Sequence, residues 1–179
     1  MHYLKYSNTV ITNLIITSII PFLILGPFVP DLIISISALF FLYHALSINN
    51  FYYFNKKIFI IFLLFCIIST ISSLESQNIS LSIKSSLFYF RIGLFSCFIW
   101  YLIDKDKSIL TFFYYTLIFC FSALVIDGYF QYFTKENLLG FEIINGRISS
   151  FFGDELIMGS YLSRLFPLLF ALFLIKKKQ

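Results

Sequence analysis

Six apolar runs dominate the chain, at 10–28, 31–48, 58–74, 86–103, 109–128 and 156–175. Each is close to the ~20 residues that a helix needs to cross about 30 Å of hydrocarbon. Lipid offers the backbone no hydrogen bonds, so only helices and closed barrels can span it. Apolar runs of this length read as membrane-spanning helices. The expected fold class is all-α, a polytopic transmembrane helical bundle of about six spans forming a single domain over 1–179. Charge content agrees: 12% of residues are charged, where a soluble domain carries about 25%.

Proline shapes the runs. Only Pro27 to Pro30 separates the first two, which predicts a tight helical hairpin. Pro21 and Pro167 fall inside runs, where a kink rather than an end is expected. The first run lacks a small-residue cleavage site and leads straight into the second, so it reads as a retained helix and not as a signal peptide.

Lysine sets the orientation. If the six spans alternate, Lys5, Lys56, Lys57, Lys105, Lys107, Lys176, Lys177 and Lys178 fall on one side, and only Lys84 and Lys135 fall opposite. By the positive-inside rule both termini are then cytoplasmic, and the loops 75–85 and 129–155 face outward. Trp100 and Tyr101, like Tyr129 and Tyr132, sit where aromatic belts form. The net charge of +4 is therefore a topology signal beside membrane lipids, and no nucleic-acid partner is implied. The terminal lysines read as a stop-transfer flank, with an anionic-lipid site as the alternative.

Metal and cofactor chemistry find little footing. Cys66, Cys97 and Cys120 lie in different spans with no metal-ligand spacing, and packing is their expected role. There is no phosphate-binding glycine loop. The loops at 49–57 and 104–108, cytoplasmic in this topology, are too short for a nucleotide-binding domain. No cofactor and no metal are expected. His44 lies near the cytoplasmic end of the second span, as a packing or interfacial residue or as a proton carrier.

The three arginines, Arg91, Arg147 and Arg164, all map to the outward half. A guanidinium stays charged, so one within a span needs an anion, water or a route to the interface. Snorkelling with Glu75 or Asp127 as partner is one reading of Arg91. A bundle-facing role is expected of Arg164, and Arg147 is either a solvated loop residue or a ligand contact. Planar bidentate donors suit phosphate oxygens, which makes an outward diphosphate the expected ligand. Asp154 and Glu155 open the sixth run, with Asp154 as N-cap or one carboxylate orienting an arginine or an acceptor hydroxyl.

The segment Asn145-Gly146-Arg147-Ile148-Ser149-Ser150-Phe151-Phe152-Gly153-Asp154-Glu155, with Gly159-Ser160-Tyr161-Leu162 after it, resembles the arginine, phenylalanine-glycine and glycine-serine-tyrosine signature of the bacterial O-antigen ligase and O-antigen polymerase family. Asp127-Gly128-Tyr129-Phe130-Gln131-Tyr132-Phe133, Asn137 to Gly140, Gly26-Pro27 with Pro30-Asp31, and Ser85 to Arg91 extend the likeness over most of the chain.

The resemblance implies a glycan transferase of the bacterial inner membrane. It would take glycan from an undecaprenyl diphosphate carrier on the periplasmic face, in surface polysaccharide or lipopolysaccharide biosynthesis. The acceptor would be a lipid A core, another glycan or protein. By resemblance Arg147, Arg91 and Arg164 contact the diphosphate, Arg147 most directly. Developing negative charge would be met by fixed guanidinium groups. Such proteins have roughly twice this length and an outward loop bearing a histidine. The expectation is therefore that 1–179 is an N-terminal half, inactive alone. A transporter or flippase fragment for an anionic substrate and a structural membrane subunit are the two alternatives.

Overall fold

The computed structural model describes residues 2–49 and 51–177. It is an all-α assembly of helices α1 (His2–Thr17), α2 (Ile19–Leu25), α3 (Phe28–Ile48), α4 (Lys57–Ser72), α5 (Ile79–Lys105), α6 (Ser108–Thr134) and α7 (Met158–Lys177). Five stretches are long and apolar enough to cross a membrane: α3, α4 with the turn to Glu75, α5, α6 and α7. Val10–Leu25 is a shorter apolar helical stretch. The chain has the build of a multi-pass membrane protein. Lys178, counted above with the terminal lysines, lies outside the described residues.

The first run is not one helix. Pro21 offers no N–H to the Thr17 carbonyl and its ring crowds that oxygen, so the ladder fails just upstream. The helix stops at Thr17 and resumes at Ile19. Bonds from Ser18 N to Leu14 O (3.0 Å) and from Phe22 N to Ser18 O (3.1 Å) carry the chain across the break. Pro167, in contrast, sits inside an unbroken α7.

Two further helices outrun the apolar signal. α5 starts at Ile79, seven residues before the expected 86. Its first turns hold Ser82, Ser85 and Ser86, which dilute hydropathy; Ser85 and Ser86 return their hydroxyls to the carbonyls of Leu81 (3.0 Å) and Ser82 (2.9 Å). α6 runs on to Thr134 and ends where Lys135 takes a left-handed conformation, its N–H bonding Gln131 O at 2.9 Å.

The chain divides into two compact units, one of residues 1–30 with 107–179 and one of 31–106. In the first, α6 is the common partner of α1, α2 and α7. Ile20, Leu117, Cys120 and Leu172 form its buried centre, with Phe121, Tyr161 and Leu165 packed around them. Asn13 is buried and donates to Ser108 Oγ at 2.9 Å, which ties α1 to the start of α6. α7 runs antiparallel to α6: Met158 at its start lies against Gly128, and Lys176 at its end donates to Tyr115 Oη at 2.6 Å.

The second unit packs α3, α4 and α5 around aromatic rings. Phe41 is buried, with ring centroids of Phe54, Phe98, Tyr101 and Tyr53 at 5.6, 5.8, 5.8 and 6.1 Å. His44 belongs to this cluster, 3.4 Å from Tyr101 Oη and stacked on Phe40. Cys66 and Cys97 are buried, as is Cys120 in the first unit, and all three are free thiols.

Tyr53, in the loop between α3 and α4, donates to Asp104 Oδ2 at 3.1 Å. Burial, and then the Asp104 carboxylate, push its phenol up to about 12. The stability it contributes is complete below the free phenol's pKa, near 10. It fades as pH rises through about 12, because only the folded state keeps the proton in that window. In an ultraviolet titration Tyr53→Phe should remove a late-ionising phenol, and Asp104→Asn should bring that phenol down. Unchanged curves for both variants would refute the assignment.

Candidate functional site

The segment between α6 and α7 is short of regular structure but not loose. Its first part is a turn, Asn137 to Gly140, closed by an isolated bridge between Glu136 and Glu142. Its second is a two-residue hairpin turn: Asn145 and Gly146 have φ of +51° and +72°, and Arg147 N bonds Ile144 O at 2.9 Å. Positive φ at both central positions is what a type I′ turn requires, and Asn-Gly is its preferred pair.

Two side chains one turn apart on α6 hold this segment down. Gln131 is fully buried, and its Oε1 accepts the N–H of Ser149 (3.1 Å) and of Ser150 (2.8 Å). Its Nε2 donates to Phe141 O at 3.1 Å. Asp127, also buried, accepts the Ser150 hydroxyl at 2.6 Å and the Leu138 N–H at 3.0 Å. Asn137 completes the lattice by donating to Ser150 O at 2.6 Å. All the polar atoms of Ser150 are thereby engaged, which explains how a non-glycine residue is kept at φ +52°.

The arginines differ in how far they are already committed. The carboxylate that pairs with Arg91 belongs to Asp31, not to Glu75 or Asp127. Arg91 binds Asp31 in the first turn of α3, with Nη2 at 2.7 and 2.8 Å from the two carboxylate oxygens, and Nη1 reaches Ser35 Oγ at 2.9 Å. The cause is spacing: Asp31 and Ser35 are one helical turn apart and present a matched pair of acceptors. The Phe88 ring also packs on this guanidinium, 4.9 Å away. Because α5 begins at Ile79, Arg91 stands twelve residues into its helix, where a start at 86 would have put it five in. Asp127 is taken by Ser150 and Leu138.

Arg147 is exposed at the end of the hairpin turn, and among the described residues its guanidinium has no ion-pair partner. Arg164 is exposed as well and likewise unpaired among the described residues. Instead of facing the interior of the bundle, it lines a cleft of about 340 Å³ with Leu23, Phe152, Ile157, Ser160, Tyr161 and Leu165. Arg147 does not line that cleft. Asp154 and Glu155 do not open a helix: α7 starts at Met158, and both lie exposed in the turn ahead of it, where Glu155 N bonds Phe152 O at 3.2 Å. Asp154 is therefore not the N-cap.

Beside the hairpin lies an apolar groove of about 490 Å³, lined by Val125, Gly128, Tyr129 and Tyr132 of α6, Ile148, and Met158, Gly159 and Leu162 of α7. Ile148 directly follows Arg147 and joins the turn to the groove. Gly128 lets α7 come close there: a Cβ would lie 2.9 Å from the Met158 methyl, which would have to swing aside. The arrangement offers an exposed guanidinium, unpaired among the described residues, one position along the chain from an apolar groove. Among the described residues no cluster of His, Cys, Asp and Glu fits a metal ion.

The residues that build this site are Asp127, Gln131, Asn137, Ser149 and Ser150, more than the arginines. The signal was present in the sequence: Asp127 and Gln131 are two polar residues at an i, i+4 spacing, the mark of one polar helix face, although Gln131 falls three residues past the run at 109–128. Comparison with protein-family models finds no match, nor does comparison with curated proteins or with solved structures.

Proposed function

We propose that the chain handles a lipid-linked diphosphate on the outward face of a bacterial inner membrane, as part of an O-antigen ligase- or polymerase-like glycan transferase. The observation that carries this reading is Arg147, without an ion-pair partner among the described residues, on a hairpin turn whose next residue lines a 490 Å³ apolar groove. A lipid diphosphate asks for this combination, with bidentate donors for its charged head and an apolar slot for its tail. Fixed positive charge would also stabilise the diphosphate as it departs, without metal or nucleotide. In this reading Arg147 is the head-group contact and Arg164 an auxiliary one, and Arg91 serves to join α3 to α5. The glycan acceptor is a lipid A core or another glycan.

Native mass spectrometry of the purified chain should show undecaprenyl diphosphate bound in preference to undecaprenol. Arg147→Ala should remove the preference. Equal retention of both lipids by the unaltered chain would overturn the reading.

One observation favours a second reading. The break at Ser18 makes the first span discontinuous, and discontinuous helices are common in transporters of charged substrates. Leu23, just past the break, lines the Arg164 cleft. Uptake of an anionic substrate into vesicles, lost in Arg164→Ala and kept in Arg147→Ala, would select this alternative.

A further inference from the structure

We infer that the Asn137–Gly140 turn is a membrane anchor, which folds back along α6 and sets Leu138 and Leu139 among the lipid chains near the head groups. The path of the chain carries this. α6 ends at Thr134, yet Leu138 N lies 3.0 Å from Asp127 Oδ1. Asp127 is seven residues short of that end, so the turn descends about 10 Å alongside the helix it has just left. From Ser108 to Asp127 is nineteen residues, or roughly 28 Å at helical rise, which places Asp127 close to the far edge of a ~30 Å hydrocarbon layer entered at Ser108.

A turn bound for water has no need to satisfy its own backbone, but a turn bound for lipid must. Every N–H from 137 to 141 is engaged within the protein. Asn137 N bonds Phe141 O at 2.9 Å, and Gly140 N bonds Asn137 O at 3.0 Å. Leu138 N goes to Asp127, and the N–H groups of Leu139 (2.9 Å) and Phe141 (2.8 Å) go to Asn137 Oδ1. With these donors engaged, the side chains turned outward are Leu138, 64% exposed, and Leu139, 62% exposed. The charged residues Lys135, Glu136 and Glu142 stand at the base of the turn, and Lys135 lies over the Tyr132 ring at 5.4 Å. Apolar tip, engaged N–H groups and charged base follow the polarity gradient of a bilayer interface, where head-group water can meet the tip carbonyls. Ile126 and Phe133 of α6 are also exposed.

The test uses the full chain in phospholipid vesicles, with Leu138→Trp and, separately, Leu139→Trp in a Trp100→Phe background. The expected result is a blue-shifted emission that loses intensity with lipids brominated high on the acyl chain, more than with deep bromines or aqueous iodide. Iodide quenching without bromine quenching at both positions would mean the turn lies in water, and the inference fails. Blue-shifted emission that neither agent quenches would mean protein covers the leucines, a second copy or another partner, and this also overturns it.

Discussion

Gln131→Leu should release the segment that carries Arg147 while leaving the helices in place. The substitution strips the acceptor from two buried N–H groups, those of Ser149 and Ser150. Each unmet buried donor costs about 1–3 kcal/mol, so the local structure loses roughly 2–6 kcal/mol. At 1.4 kcal/mol per tenfold, hydrogen exchange of the 149–153 amides should accelerate by at least about thirtyfold. Amides of α4 serve as the internal reference. Asp127→Leu should act in the same direction, since it orphans the Ser150 hydroxyl and the Leu138 N–H. Asp127→Asn should be much milder: its amide still offers an oxygen to Leu138 N–H and a donor to Ser150 Oγ. Native exchange rates in both leucine variants would show that the buried network does not hold the loop.

Arg147→Lys is expected to slow glycan transfer in the active protein by about a hundredfold at unchanged abundance. The change keeps the charge and removes the planar fork, and a loss of about 3 kcal/mol of transition-state stabilisation corresponds to that factor. Arg91→Lys should behave differently. Its guanidinium is bound by both oxygens of Asp31 and by Ser35, so the substitution should lower abundance more than specific transfer. Normal transfer by both Arg147→Lys and Arg147→Ala, each at normal abundance, would reduce Arg147 to a solvated turn residue.

The two experiments address separate links. Gln131→Leu probes whether the turn is held, and Arg147→Lys probes whether what it holds matters for chemistry. Gln131 sits on α6 beneath the loop and Arg147 is exposed above it, so the loop lattice is the expected route for any shared effect on transfer. Raised exchange with intact transfer in Gln131→Leu would separate the scaffold from the activity.

Hydropathy alone determined the class of this protein and the rough place of its spans, because burial in lipid acts on every residue of a helix and leaves a signal summed over nearly twenty positions. The Asn145-Gly146 turn is likewise a local matter, since a type I′ turn is set by the backbone preferences of two adjacent residues. Helix ends were less legible. The start of α5 hides behind serines whose hydroxyls bond back into the helix, and Pro21 acts on the chain several residues ahead of itself. Partners were not legible at all. Arg91 had two acidic residues to choose from on sequence grounds and took a third, Asp31, sixty positions away. Asp127 looked like a counter-ion and is instead a clasp for Ser150 and Leu138. An ion pair or a buried hydrogen bond depends on where a few atoms meet within about 3 Å, and only the packing of helices fixes that distance. The sequence supplied charges and donors; tertiary structure decided which of them were satisfied, leaving Arg147 and Arg164 free of ion pairs among the described residues.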